Sequence, residues 1–371
     1  MKNKFLFYSS QVKKINFYKQ FKNKKVLITG HTGFKGSWLT SWLVLLGAKV
    51  IGISLKQHKN SKHFESLKLK QLIHDFRFDI CDYSKLNKVI TTYKPDFVFH
   101  LAAQSLVLRS YKEPLKTWKT NVFGTLNLIE SLKNLNKNCY TVIVTSDKCY
   151  LNIEKKVRYK ETDRLGGLDP YSASKASAEL VAISEINSFF KDKGKVRIAT
   201  ARAGNVIGGG DWSENRIIPD YIKSILSNKI LKIRNPKATR PWQHVLELIY
   251  GYLKLATALK YKKNLHGNSF NFGPTQYSNK NVINVINEMG RNSVHGKWKI
   301  SKSTKTRKLE SQLLQLNCSK AKKLLNWSLK LNFRETIKLT AHWYRSYLKN
   351  KSKSRAKTFE QIHKYMQLIN K

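Results

Sequence analysis

The sequence predicts an α/β protein with a doubly wound, mostly parallel sheet and a smaller C-terminal lobe. Three observations predict it. Short β-branched and apolar runs alternate with segments of helical spacing from Lys25 to Ala203. The first run ends in a glycine-rich turn that opens a helix. After about Gly208 the alternation gives way to loops, short helices and aromatic turns.

Taken in order, Val26-Leu27-Ile28 reads as a buried strand that ends at Thr29-Gly30. Phe34, Trp38, Trp42 and Leu45/Leu46 then recur at helical spacing, and Gly47-Ala48 stops that helix. Lys49 to Ile53 is the next strand, which completes a βαβ unit. Phe76-Arg77-Phe78 is a short strand. Asp96 to Leu101 is another, ending at Ala102-Ala103, and Asn121 to Leu132 is helical. Thr141 to Thr145 is a buried strand, Tyr171 to Phe190 a long helix, and Arg197 to Ala203 a further strand. The expected division is a basic extension over 1–20 and a nucleotide-binding domain over 21–205, with a return segment near 241–275. A substrate lobe and tail take 206–240 and 276–371. The lysine-rich stretch Lys349 to Lys357 is expected to be flexible and to precede a final short helix.

Composition narrows the function. Hydrophobic residues make up 41%, enough to bury a core. No run of about 18 apolar residues is present, so no membrane span is expected. The apolar patch Phe5 to Tyr8 is too short for an export signal. The four cysteines, Cys81, Cys139, Cys149 and Cys318, form no CxxC pair, and no histidine cluster has metal spacing. A reducing cytoplasm is therefore expected, with no metal. The formal net charge of +47 invites a polyanion-binding reading. The excess is spread along the chain and is not interleaved with aromatic residues, so a solvated lysine surface is expected and no specific nucleic-acid site.

The turn Gly30-His31-Thr32-Gly33-Phe34-Lys35-Gly36 follows a strand and opens a helix. Glycines there permit a tight turn and let the backbone approach a pyrophosphate at the positive end of the helix. No acid directly ends the second strand, where Ser54-Leu55-Lys56 stands, so this motif leaves NAD and NADP open. Asp79-Ile80 lies at a sheet edge, where an acid can meet an adenine amine or simply occupy a loop.

Tyr171 and Lys175 lie one helical turn apart and share a face. A phenol ionises near pH ~10. A nearby ammonium and a cationic nicotinamide would lower that value and make Tyr171 a base for a sugar hydroxyl. Ser146-Asp147-Lys148 stands just past the carboxyl end of a strand, where open α/β sheets place their chemistry. Ser146 suits a hydroxyl being oxidised, and Asp147 with Lys148 supplies an acid and a base for a second part of a substrate.

Several blocks together resemble one family. They are Gly30 to Leu39, Val144 to Tyr150, Gly166-Gly167, Asp169 to Lys175, Ala201 to Trp212 and Arg240 to Val245. From about Phe21 to near Ile362 the chain resembles the CDP-glucose 4,6-dehydratases of the extended short-chain dehydrogenase/reductases, the NAD-dependent epimerase/dehydratase family. Lys148 discriminates best, because the dTDP-glucose and GDP-mannose dehydratases usually carry Glu there. The resemblance implies a Rossmann fold and NAD bound by Gly30, Thr32, Gly33, Phe34, Lys35, Gly36, Asp79, Ile80, Leu101, Ala102, Ala103, Thr145, Tyr171 and Lys175. It implies a nucleotide sugar held by Gln104, Ser146, Asn205, Arg216 and Arg240. It also implies a homodimer or homotetramer, and a role in making deoxysugars for surface polysaccharides such as lipopolysaccharide. The implied reaction is oxidation at C4, loss of water across C5 and C6, and reduction at C6, with Ser146, Asp147, Lys148, Tyr171 and Lys175 as the catalytic set. As a base Lys148 must be neutral, which burial beside Lys175 would favour. Leu309 and Asn317 depart from the family pattern in the lobe expected to hold the nucleotide. The alternatives are a relative acting on another nucleotide, a 4-epimerase, or a polyanion-binding protein that reuses the fold.

Overall fold

The computed structural model describes residues 17–56, 62–154, 157–191, 194–274, 280–301 and 314–370. Its centre is a seven-stranded sheet. The strands are β1 (Lys25–Thr29), β2 (Lys49–Ser54), β3 (His74–Arg77), β4 (Phe97–His100), β5 (Cys139–Val144), β6 (Val196–Ala203) and β7 (Ser269–Phe272). They lie in the order β7-β6-β5-β4-β1-β2-β3, and every pairing is parallel. The chain moves outward from β1 in one direction and then in the other. The switch point therefore falls between β1 and β4, where Thr29 sits opposite His100.

Strand periodicity feeds two cores. Val26, Ile28, Phe97, Phe99, Val142 and Val144 point to one face, while Leu27, Val98 and Ile143 point to the other. The first face is covered by α1 (Phe34–Leu45) through Trp38 and Trp42. The second is covered by α2 (Tyr83–Tyr93), α3 (Gly124–Lys133) and α4 (Pro170–Glu185). Two predicted helices change character. The turn Lys119–Phe123 before α3 is π-helical, and so is Ile186–Phe190 after α4.

Past Gly208 the structure is more regular than the sequence suggested. Here α5 (Ile217–Leu226) is followed by α6 (Val245–Tyr261), a helix buried along most of its length on the α1 side. Strand β7 then returns to the sheet edge beside β6. Small two-stranded ribbons shape the rest, among them Leu231–Ile233 with Trp298–Ile300.

The expectation of a flexible lysine-rich stretch and a short last helix is corrected. Helix α7 (Phe333–Lys349) runs into the 3-10 turn Lys351–Lys353 and then α8 (Ser354–Asn370), which is 17 residues long. Ser354, Thr358, Gln361, Ile362 and Tyr365 recur on one face and are buried. Lys349, Lys351 and Lys353 are exposed where the two helices join, and Lys357 flanks the buried face half-buried, a division that the composition of the stretch concealed. Of the expected 1–20 extension, residues 1–16 lie outside the described residues, and Phe17–Gln20 forms a 3-10 turn.

Candidate active site

A cleft of about 620 Å³ opens at the carboxyl ends of β1, β4, β5 and β6 and passes into the C-terminal lobe. The glycine turn forms its floor at one end. Gly30 has φ +73°, and a Cβ there would lie 2.7 Å from the amide of Ala102. A Cβ on Gly36 would lie 2.1 Å from the Gly30 carbonyl, so these two glycines serve the turn and its packing. Gly33 differs. Its side faces open space, with only the Gly30 carbonyl at 3.4 Å. Gly33 also caps α1 without a side chain, leaving first-turn N–H groups at the cleft wall. That cradle fits a dinucleotide pyrophosphate.

Thr32, Phe34, Lys35, Asp79, Ile80, Leu101, Ala102, Ala103 and Thr145 all line the same cleft. Ser54, Leu55 and Lys56 line its outer end, and the Thr32 and Ser54 hydroxyls are 2.7 Å apart. Ser54 accordingly stands where many such enzymes carry an acid.

Tyr171 and Lys175 are both carried by α4. Asp169 caps the helix by accepting from the amides of Tyr171 and Ser172, each at 3.0 Å, and Pro170 presets its first turn. Tyr171 and Lys175 consequently face the cleft from a rigid element. The Lys175 ammonium reaches the carbonyl of Val144 at 3.4 Å. Burial holds Lys175 down to about 8, opposed by Glu179. Burial pushes the Tyr171 phenol up to about 12, opposed by a hydrogen bond with Ser146. Burial thus works against the lowering expected from an ammonium and a cationic nicotinamide. Desolvation outweighs the neighbouring charges, and only a bound cation in the cleft would bring the value down.

Beyond β5 the chain enters the 3-10 turn Asp147–Cys149, capped by Ser146. The Ser146 hydroxyl donates to Asp147 at 3.0 Å and accepts from the amide of Lys148 at 3.2 Å. Burial raises the Asp147 carboxyl above the usual carboxylate range, opposed by the charge of Lys148. A raised carboxyl suits a proton donor. Lys148 lines the cleft and is half-buried, so the burial expected to favour its neutral form is partial.

A Cβ at Gly204 would stand 2.7 Å from the Asp147 carboxylate oxygen. Gly204→Ala is expected to leave the fold intact, because a carboxyl end can swing aside. Elimination should fall by about 10²-fold, the scale set by a misplacement of ~1 Å. Single-turnover rates resolved by step check this, and an unchanged elimination rate would remove Gly204 from the argument.

The residues expected to hold substrate divide. Asn205, Arg216 and Arg240 line the cleft. Gln104 does not. Its carboxamide donates to Thr117 at 2.9 Å and to the Leu106 carbonyl at 3.1 Å, and accepts from the Leu106 amide at 2.7 Å. Those bonds hold the loop after β4 and leave the carboxamide turned to the loop rather than to the cleft expected for a substrate residue. Asn317 turns the chain into the following helix by accepting from the Ser319 amide at 2.9 Å, away from the cleft. Leu309 lies outside the described residues.

Sequence reasoning missed Asp211. It is buried, binds Arg216 at 2.9 Å, and its backbone carbonyl accepts from Tyr344 of α7 at 2.6 Å. An acid closing Gly208-Gly209-Gly210 was the available signal. No group of three or more His, Cys, Asp or Glu converges on a metal position among the described residues.

Sheet, glycine turn and the Ser146/Tyr171/Lys175 constellation define an enzyme of the nucleotide-sugar-modifying, dinucleotide-dependent class. The GDP-mannose 4,6 dehydratase family model matches residues 27–340, and the chain belongs to that family. It is 40% identical over 346 residues to a CDP-glucose 4,6-dehydratase of Salmonella typhimurium, covering 89% of this chain and 92% of the relative. A UDP-glucose 4-epimerase of Mycoplasma genitalium is 28% identical, with 87% of this chain and 97% of that protein covered. Among solved structures, an epimerase of Methanothermobacter thermautotrophicus superposes with TM-score 0.73 at 23% identity, over 91% of this chain and 97% of that one. A dTDP-glucose 4,6-dehydratase of Bacillus anthracis in complex with NAD gives TM-score 0.70 at 22% identity, over 87% and 97%.

Proposed function

We propose that this chain is an NAD-dependent CDP-glucose 4,6-dehydratase that converts CDP-glucose to CDP-4-keto-6-deoxyglucose. One observation carries the choice of reaction: a second acid–base pair, Asp147 and Lys148, lines the same cleft as Tyr171 and Lys175. A 4-epimerase needs only the oxidation set. The 40% identity to the Salmonella CDP-glucose enzyme supports the nucleotide.

Held by the Gly30–Gly36 turn and Lys175, NAD would supply the hydride-acceptor and hydride-donor chemistry for C4 and C6. The rest belongs to the chain. Tyr171 accepts the C4 hydroxyl proton while Ser146 orients that oxygen. The ketone so formed acidifies the C5 proton, which Lys148 removes. Asp147 protonates the C6 hydroxyl, and water leaves. A proton then returns to C5 as C6 is reduced. Lys175 holds the cofactor ribose, and the Arg216 and Arg240 guanidiniums suit the diphosphate.

Incubation with NAD and CDP-glucose, followed by mass and the alkaline absorbance of the keto sugar, tests the reading. Loss of one water without net reduced nicotinamide is expected. Turnover of dTDP-, GDP- or UDP-glucose in preference would overturn the nucleotide.

Binding should also move protons. Burial holds Lys35 and Lys175 down to about 8 each, and for Lys35 the charges of Arg216 and Lys175 add to it. The anionic pyrophosphate of NAD in the glycine turn raises the Lys35 value, so NAD binding near pH ~8.5 takes up protons there, and the uptake fades well below pH ~7, where Lys35 is already charged. Calorimetry in buffers of different ionisation heat reads this directly. Identical heats at the higher pH would contradict it.

Leu115 (85% exposed), Phe123 and Leu180 lie exposed on neighbouring helical segments of the first domain. They fit a homodimer formed through these helices, which sedimentation equilibrium would verify or refute. No described helix is long and apolar enough to cross a membrane. A cytoplasmic location fits the cysteines, none of which is paired; fractionation of cells tests it.

A further inference from the structure

The turn that carries Ser146, Asp147 and Lys148 is bracketed by Thr145 and Tyr150, and both are tied to a single buried ion pair. Glu179 and Arg202 are 0% and 1% exposed, with the carboxylate and guanidinium 2.8 Å apart. On one side the Thr145 hydroxyl donates to Glu179. On the other, Arg202 donates to the Tyr150 hydroxyl at 2.9 Å and lies over its ring at 4.9 Å. Tyr150 passes the connection on by donating to Asn271 at 2.8 Å. Thr200 and Ser269 complete the carboxylate's bonds from β6 and β7, at 2.8 Å and 3.2 Å.

Glu179 stands one turn beyond Lys175 and two beyond Tyr171, on the same face of α4. The pair therefore touches both catalytic segments: α4 directly, and the turn after β5 at each of its ends. A buried ion pair is weak evidence of stability, since apolar replacements often serve as well. Its value here lies in geometry. Directional bonds fix two elements at one separation in a way that packing alone does not.

We propose that Glu179 and Arg202 are positioning residues that hold the Ser146–Lys148 turn in register with Tyr171 and Lys175, and so couple oxidation at C4 to elimination across C5 and C6. This rests on the roles given to those residues above. Loosening the far end of the turn displaces Asp147 and Lys148 more than Ser146, which stays next to Thr145. Elimination is then the step that suffers.

Tyr150→Phe keeps the ring and removes only the hydroxyl's bonds. In a single turnover with NAD and CDP-glucose, it is expected to slow elimination about 10-fold more than oxidation, so that reduced nicotinamide accumulates transiently. Thr145→Val, which frees the near end, is expected to slow both steps, and Thr145→Ser to restore them. Arg202→Lys retains the charge but not the fork, and is expected to behave like Tyr150→Phe. A uniform fall in both steps for Tyr150→Phe, with the ratio of wild type, would overturn the proposal and leave the pair a purely structural feature. A parallel Tyr171→Phe reaction reports separately on the underlying assignment. If that enzyme oxidises CDP-glucose normally, the site reading fails rather than the register.

Discussion

Tyr171→Phe is expected to abolish formation of reduced nicotinamide on mixing with CDP-glucose, with the overall rate down by roughly 10²–10⁴-fold, the usual worth of a positioned proton acceptor. The change keeps the ring that packs at the start of α4 and removes only the hydroxyl beside Ser146, so thermal stability should hardly move. KM should change little, because the diphosphate is assigned to arginines elsewhere in the cleft. The pH profile is the sharper readout. Burial leaves the phenol at about 12 in the protein alone, so only a small fraction is ionised at neutral pH. The base form grows as pH rises, and oxidation by wild type should accelerate with pH over the range in which a bound cation has brought that value down. The Phe variant should show no such rise. A variant that oxidises at a tenth of the wild-type rate or better would transfer the proton to another group.

Lys148→Ala should separate the steps. Oxidation at C4 keeps its whole apparatus, yet nothing remains to take the C5 proton. Reduced nicotinamide should accumulate, exchange of the C5 hydrogen with solvent should disappear, and dehydration should drop by roughly 10²–10⁴-fold. Lys148→Glu offers a second base of similar reach and should recover part of that loss. The charge of Lys148 opposes the upward shift of the Asp147 carboxyl. Without it Asp147 retains its proton to higher pH, so the alkaline limit set by this acid should move upward in both variants. Normal dehydration by Lys148→Ala, measured by product mass, would refute the assigned base.

The two substitutions probe parts of the site that differed in legibility. Tyr171 with Lys175 is readable because helical spacing alone puts residues four apart on one face. The glycine turn is readable because strand, turn and helix follow one another without interruption. Ser146-Asp147-Lys148 is an ordinary polar tripeptide, and its position at a strand end was what singled it out. Gln104 shows the limit. Its residue type suits a sugar hydroxyl equally well, and only the path of the loop after β4 decided that Thr117 and Leu106 take its bonds. The C-terminal segment was misjudged for a related reason. Lysine-rich composition masked a face of small, polar and aromatic residues that becomes a packing surface against α1, α6 and α7.

Local order in the chain thus determined the sheet, the turn and the proposed catalytic residue types, since each depends on neighbours within a few positions. Tertiary structure alone decided which polar groups face the cleft, that burial raises Tyr171 and Asp147 while lowering Lys175, and that Glu179 and Arg202 meet between the catalytic segments. The physical reason is that desolvation and ion pairing depend on what the rest of the chain brings within a few ångströms, and those contacts join residues far apart in sequence.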